Sequence, residues 1–216
     1  MPGLKINAEL TFSALLLLAY LLGSIPWGLV LTRVYARYDI RLKGSGNIGA
    51  TNVIRQTGVI PGLLTLAGDF LKGAVPVYLA LLAFGPAGGF NDAYLLSVVL
   101  AAFFGHLFPI YLKFRDGGKG VATAAGCFAV VSPAAVLAAV AVFIAVLLMA
   151  RRVSAGSLSA AAILPVAVWL AADSTIMTVA AVIVALFIFI RHRSNLKRLL
   201  AGKEPEFRLK RDHSVK

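Results

Sequence analysis

Apolar stretches at residues 10–34, 61–84, 93–112, 121–131, 134–150, 158–172 and 176–190 limit what this chain can fold into. A helix crosses a bilayer with about 20 apolar residues, roughly 17–25 being usual. The first three stretches and the last reach that length with their flanks. Hydrophobic residues make up 60% of the 216 and charged residues 14%, against about 45–50% and about 25% in soluble domains. A soluble fold of this size has too little interior for so much apolar side chain. The expectation is therefore an all-α integral membrane protein with seven transmembrane helices, forming one membrane domain over residues 1–216. The 121–131 stretch is the shortest and fits a thinned bilayer or a half-helix. Ser132 and Pro133 separate it from the next stretch, because the residue before a proline avoids the helical region.

Charge orients the bundle. Lys and Arg total 21 against 9 Asp and Glu, a formal +12. Such an excess suits nucleic acid, but its distribution suits a membrane better. All the basic residues except Lys5 and Lys72 fall in or beside three loops and the C-terminal tail. The connections near 85–92, 132–133 and 173–174 carry none. Cytoplasmic loops hold Lys and Arg, so the N-terminus is placed outside and the C-terminus in the cytoplasm, with 207–216 a basic tail near anionic lipid heads. The first stretch is too long for a signal-peptide core and is kept as mature structure. One cysteine and three scattered histidines offer no disulfide and no metal cluster, so neither metal nor cofactor is expected.

The polar connections carry the chemistry. The first runs Lys43-Gly-Ser-Gly-Asn-Ile-Gly-Ala-Thr-Asn-Val-Ile-Arg55. Its glycines, Gly44 and Gly46 among them, let successive backbone N–H groups converge on an anion. Ser45, Asn47, Thr51 and Asn52 add side-chain donors, and the Arg55 guanidinium suits a phosphate. The Gly-x-Gly-x-x-Gly spacing is not a dinucleotide site, since no strand precedes it. The competing reading is a flexible surface turn.

In the second connection, Gly118 and Lys119 sit in a glycine cradle just before a short apolar helix, another arrangement suited to an anion. Gly120 follows the lysine, so this is not a Walker A loop. A plain positive-inside anchor is the competing reading, although Lys113 and Arg115 already satisfy it. In the third connection Ser157 either caps a helix or donates to a phosphate. In the fourth, His192 and Asn195 share one helix face at the inner membrane edge, where an interfacial basic helix is the competing reading.

Other polar residues read as structural. Asp69 and Lys72 stand i, i+3 inside a span and should pair. His106 reads as a packed side chain, and Cys127 lies among apolar neighbours with nothing to make a thiolate.

Together these loops resemble the bacterial acyl-phosphate:glycerol-3-phosphate acyltransferases, which are small integral membrane enzymes. The likeness rests on Gly44-Ser-Gly-Asn-Ile-Gly-Ala-Thr-Asn52 through Arg55, on Gly105-His-Leu-Phe-Pro109 through Gly117-Gly-Lys-Gly-Val-Ala-Thr123, and on His192-Arg-Ser-Asn195 through Gly202-Lys-Glu204. It extends in order from Leu21 to Glu206.

The resemblance implies seven spans in the bacterial inner membrane with the motifs on the cytoplasmic side. It also implies transfer of a fatty acyl group from acyl phosphate to glycerol 3-phosphate, giving lysophosphatidate and inorganic phosphate. Both substrates carry phosphate, so two anion sites are needed. Ser45, Arg55, Lys119, His192 and Asn195 are the expected catalytic group, with Ser157 and the loop donors binding phosphate. The proton acceptor is either His192 or a substrate phosphate, and the phosphate is the preferred reading. Acyl-CoA-using acyltransferases carry a His-x-x-x-x-Asp pair, absent here because Tyr111 and Lys197 follow at that spacing. A monomer is expected, without nucleic acid. A transporter of a phosphorylated or anionic solute is the rival reading, and a lipid-head-binding scaffold a second.

Overall fold

A computed structural model describes residues 8–85, 91–172 and 174–207. Lys5, Asp173 and the tail from residue 208 onward lie outside them. Ten α-helices run through the described residues: α1 (Ala8–Gly23), α2 (Trp27–Ala36), α3 (Ala50–Thr57), α4 (Val59–Phe84), α5 (Asn91–Leu107), α6 (Val121–Val131), α7 (Pro133–Ala150), α8 (Val153–Ala172), α9 (Thr175–Arg191) and α10 (Arg193–Leu200). No strand occurs among them.

The helix ends follow local chemistry. The first apolar stretch, continuous in sequence, divides into α1 and α2 at a 41° bend. Pro26 drives Ile25 out of the helical region and removes a backbone donor. Ser132 closes α6 and Pro133 opens α7, the position where a missing N–H costs least. At the same end of the bundle Ser174 caps α9, its hydroxyl accepting from Met177 N at 3.2 Å.

Four helical segments are long and apolar enough to cross a membrane, and the bent pairs α1–α2 and α9–α10 raise the number to six. This falls short of the expected seven because α6 has only 11 residues, about 16 Å of rise against a hydrocarbon core of about 30 Å. The bundle is apolar on its outside as well as its inside. Leu148, Met149, Trp169 and Leu170 are exposed, and α7, the most apolar of the four long spans, is also the least buried. Such a surface suits contact with lipid. The core centres on α5, whose Leu95, Val98, Val99 and Phe103 pack with Val77 of α4, Phe128 of α6 and Val184 of α9.

Asp69 and Lys72 pair inside α4 as their spacing requires, Nζ standing 2.8 Å from Oδ1. Cys127 is fully buried in α6. The first polar loop is not a bare turn: its second half is helix α3, with Arg55 in the last turn.

Candidate active site

The four polar connections meet at one end of the bundle, where α5, α7 and α9 end and α6 and α8 begin. Each is shaped by a few residues. In the first, Gly44 and Gly46 adopt left-handed φ of +57° and +71°, which a side chain would strain. Asn52, 4% exposed, reaches back from α3 into the turn. Its Oδ1 accepts from Ser45 N at 3.1 Å, and its Nδ2 donates to Lys43 O at 3.1 Å and Asn47 O at 2.9 Å. Asn47 Oδ1 in turn accepts from Gly49 N at 2.9 Å. The Asn52 amide, read from sequence as a phosphate donor, has its hydrogen bonds directed into the loop itself, and the Asn47 side-chain oxygen is engaged there too. They leave the exposed Ser45 side chain and the half-buried Thr51 and Arg55 on the same loop.

Arg41 links this loop to the second, its guanidinium 3.2 Å from Asp116. Beyond Asp116 the chain turns into Gly117–Gly118. Gly118 N donates to His106 O at 3.1 Å, and Arg191 Nε donates to Gly118 O at 3.0 Å. Lys119 follows, immediately before α6, and its Nζ donates to Asn195 Oδ1 at 2.6 Å.

Asn195 sits between a cation and an anion. Its Nδ2 donates to Glu204 Oε1 at 2.6 Å, which fixes the amide so that its oxygen faces Lys119. Glu204 is 7% exposed. It also accepts from Ser154 Oγ at 2.7 Å and from Arg198 Nε at 2.7 Å. Burial acts to raise the Glu204 pKa, but the hydrogen bonds from Asn195, Ser154 and Arg198 outweigh it and hold the carboxyl below its ordinary value. The segment after Glu204 crosses toward the first loop, where Arg55 donates to Pro205 O and Glu206 O at 3.4 Å each.

Burial pushes the Lys119 ammonium down to about 8. Glu204 opposes this, and Arg198, Arg55 and Arg191 add to it. Three guanidinium groups therefore act on Lys119 beside the opposing Glu204 carboxylate, and this positive environment suits an anion. His192, one residue past α9, is 2% exposed. Its Nδ1 lies 2.8 Å from Ile188 O, a carbonyl that requires the proton on Nδ1 and leaves Nε2 as the acceptor. Burial pushes its pKa down to about 4, with Lys119 adding to the shift, so the ring is neutral at cellular pH.

The structure thus gathers Arg55, Lys119, His192 and Asn195 into one polar cluster. Ser157 is buried and lies one turn beyond Ser154 on α8. It does not cap that helix, because α8 begins four residues earlier, at Val153. Sequence reasoning missed Glu204, Ser154, Arg191 and Arg198. Glu204 carried a usable signal, being a carboxylate that follows a run of basic residues, within the Gly202-Lys-Glu204 motif.

The class defined by this arrangement is an all-helical integral membrane protein with a cation-rich polar cluster at one end of its bundle. The family described as glycerol-3-phosphate acyltransferase matches residues 13–202. A glycerol-3-phosphate acyltransferase of Syntrophotalea carbinolica is 48% identical over 92% of this chain and 98% of its own. One of Geobacillus kaustophilus is 42% identical over 89% and 94%. The crystal structure of PlsY, an integral membrane glycerol 3-phosphate acyltransferase, superposes in its glycerol 3-phosphate form with a TM-score of 0.86 at 37% identity, covering 92% of this chain and 96% of that one. Its lysophosphatidic acid form gives 0.83 at 36% identity, with the same coverage. This chain belongs to the glycerol-3-phosphate acyltransferase family.

Proposed function

We propose that the chain transfers a fatty acyl group from acyl phosphate to the 1-hydroxyl of glycerol 3-phosphate, releasing lysophosphatidate and inorganic phosphate. The observation that carries this reading is the Lys119 ammonium, held by Asn195 and crowded by Arg55, Arg191 and Arg198 at the membrane edge. That charge surplus suits the phosphates of both substrates, and the adjacent lipid-facing surface suits an acyl chain and a lipid product. The glycerol 3-phosphate and lysophosphatidic acid forms of the related PlsY agree with this acceptor and product.

An acyl phosphate is already activated, so no covalent enzyme intermediate is required. The glycerol 3-phosphate hydroxyl attacks the acyl carbon, the bond from that carbon to the phosphate oxygen breaks, and phosphate leaves. Lys119 and Arg55 neutralise charge building on that phosphate, with Ser45, Thr51 and the N–H groups around Gly44, Gly46 and Gly118 as further donors. Ser157 completes the phosphate-binding group from α8. Asn195 orients Lys119, while Asn47 and Asn52 shape the first loop. The hydroxyl proton passes to a phosphate oxygen, whose second pKa is about 6. His192 is neutral and offers Nε2 as a hydrogen-bond acceptor to the attacking hydroxyl. Holding both substrates supplies a large share of the rate.

The topology in this reading is seven crossings with the N-terminus outside and the site facing the cytoplasm of the bacterial inner membrane. The chain leaves the site end along α6 and returns along α7, so α6 counts as an outward passage despite its 11 residues. The cluster is assembled from one chain, which suits a monomer.

The test is to give the purified protein palmitoyl phosphate and glycerol 3-phosphate and measure lysophosphatidate and inorganic phosphate together. Equal formation of both, dependent on glycerol 3-phosphate, is expected. Phosphate without lysophosphatidate would make the chain a hydrolase. Neither product from folded protein, together with anion flux across sealed vesicles, would favour the transporter.

A further inference from the structure

The buried Asp69–Lys72 pair has a third member. His106, at the end of α5, places Nδ1 3.6 Å from Asp69 Oδ1. Asp69, Lys72 and His106 are 3%, 4% and 4% exposed, too enclosed to meet a substrate. Lys72 Nζ also donates to Ile25 O at 2.8 Å, at the break between α1 and α2. This charged cluster is expensive to bury, and the chemistry proposed above does not use it.

Its outer face touches the phosphate loop. The His106 ring lies flush against Gly118, so close that a Cβ there would stand 2.0 Å from Nε2. The same residue's carbonyl accepts from Gly118 N at 3.1 Å. On the other side, Arg191 donates to the carbonyls of Gly117 and Gly118. The backbone just before Lys119 is thus gripped between the imidazole and the guanidinium.

We propose that His106, braced from inside the bundle by Asp69 and Lys72, is a positioning residue that sets the Gly117–Gly118 backbone and through it the Lys119 ammonium. The inference rests on the reading of this loop as a phosphate site. A displacement on the order of 1 Å in such a loop can lower turnover about 100-fold, which is the leverage a packed ring in this place would have.

Wild-type turnover tests the site reading, and ratios among variants test His106. His106→Asn keeps a donor where Nδ1 faces Asp69 but removes the atoms against Gly118. His106→Gln keeps atoms against Gly118. With both folded at similar unfolding temperatures, kcat/KM for His106→Gln should exceed that for His106→Asn by about tenfold, mainly through kcat, where loss of Lys119 is also expected to show. An equal or reversed order would overturn the proposal, because it is what a purely structural role through Asp69 gives. Gly118→Ala should lose activity steeply, and adding His106→Ala should cost little more, since both break one contact. Losses that multiply would overturn the proposal. If the His106 variants do not fold, Gly118→Ala alone decides: its alkaline pH limb should move as Lys119 shifts, and an unmoved limb with wild-type kcat/KM would sink the idea.

Discussion

The Lys119 ammonium meets the Asn195 side-chain oxygen at 2.6 Å across 76 residues of sequence, joining the loop before α6 to helix α10. Asn195 turns its amide nitrogen to Glu204, so this contact has one orientation only. If Lys119 stabilises a leaving phosphate, Lys119→Met should lower kcat by about 100- to 1000-fold, as removal of a preorganised donor does elsewhere. The coupled phosphate and lysophosphatidate assay measures it. A variant within threefold of wild type would remove Lys119 from the mechanism.

The same lysine should set the upper pH limit. Its folded pKa is depressed to about 8 by burial, so the charged form is lost as pH rises through that value. kcat/KM, which reports the free enzyme, should fall above about pH 8. Below about pH 6 it should fall again as substrate phosphates gain a proton. Lys119→Arg should carry the alkaline limb upward, because a guanidinium stays charged. A limb identical in both proteins would assign it to another group.

Arg55 reaches from α3 to the carbonyls of Pro205 and Glu206, which closes the first loop against the C-terminal segment. Arg55→Ala should lose activity by about 100-fold. Arg55→Lys should recover only part of it, since an ammonium cannot offer two parallel donors to a phosphate. Full recovery would reduce Arg55 to a point charge.

His192 separates two proton acceptors. With its pKa near 4 it remains neutral through the working range, and its Nδ1 is engaged by Ile188 O. If a substrate phosphate takes the proton, His192→Gln should keep measurable turnover and its acid limb should not move. Loss of turnover with substrate binding intact would make His192 the base.

Much of this was legible because it depends on short-range rules. Pro26, Ser132 and Pro133 break helices where backbone sterics require, although the first of these breaks was hidden inside one apolar stretch. The Asp69–Lys72 pair followed from helical spacing alone. The polar connections stood out as candidate anion sites from glycines beside cations, and the structure brings them to one end of the bundle. The partners within them did not stand out. Asn52 looked like a ligand donor because an amide's type does not say which way it faces. His106 could be read as packed, but not as lying against Gly118, because that contact depends on where α5 ends relative to a distant loop. Glu204 escaped for a similar reason, since its value lies in three donors drawn from α8 and α10.

Asn52 offers the sharpest separation of loop shape from charge. It is buried and joins Lys43, Ser45 and Asn47 through one amide. Asn52→Ala leaves a backbone N–H and two carbonyls without these partners, a local loss of about 1–3 kcal/mol. The helix bundle does not depend on them, so the unfolding temperature should change by only a few degrees. Activity should fall at least tenfold, because Ser45 and Arg55 lose their shared frame. Asn52→Asp keeps the acceptor for Ser45 N but faces the Lys43 and Asn47 carbonyls with another acceptor, so it should be as damaging as alanine. Activity in Asn52→Asp near that of wild type would show that the Ser45 contact alone holds the loop.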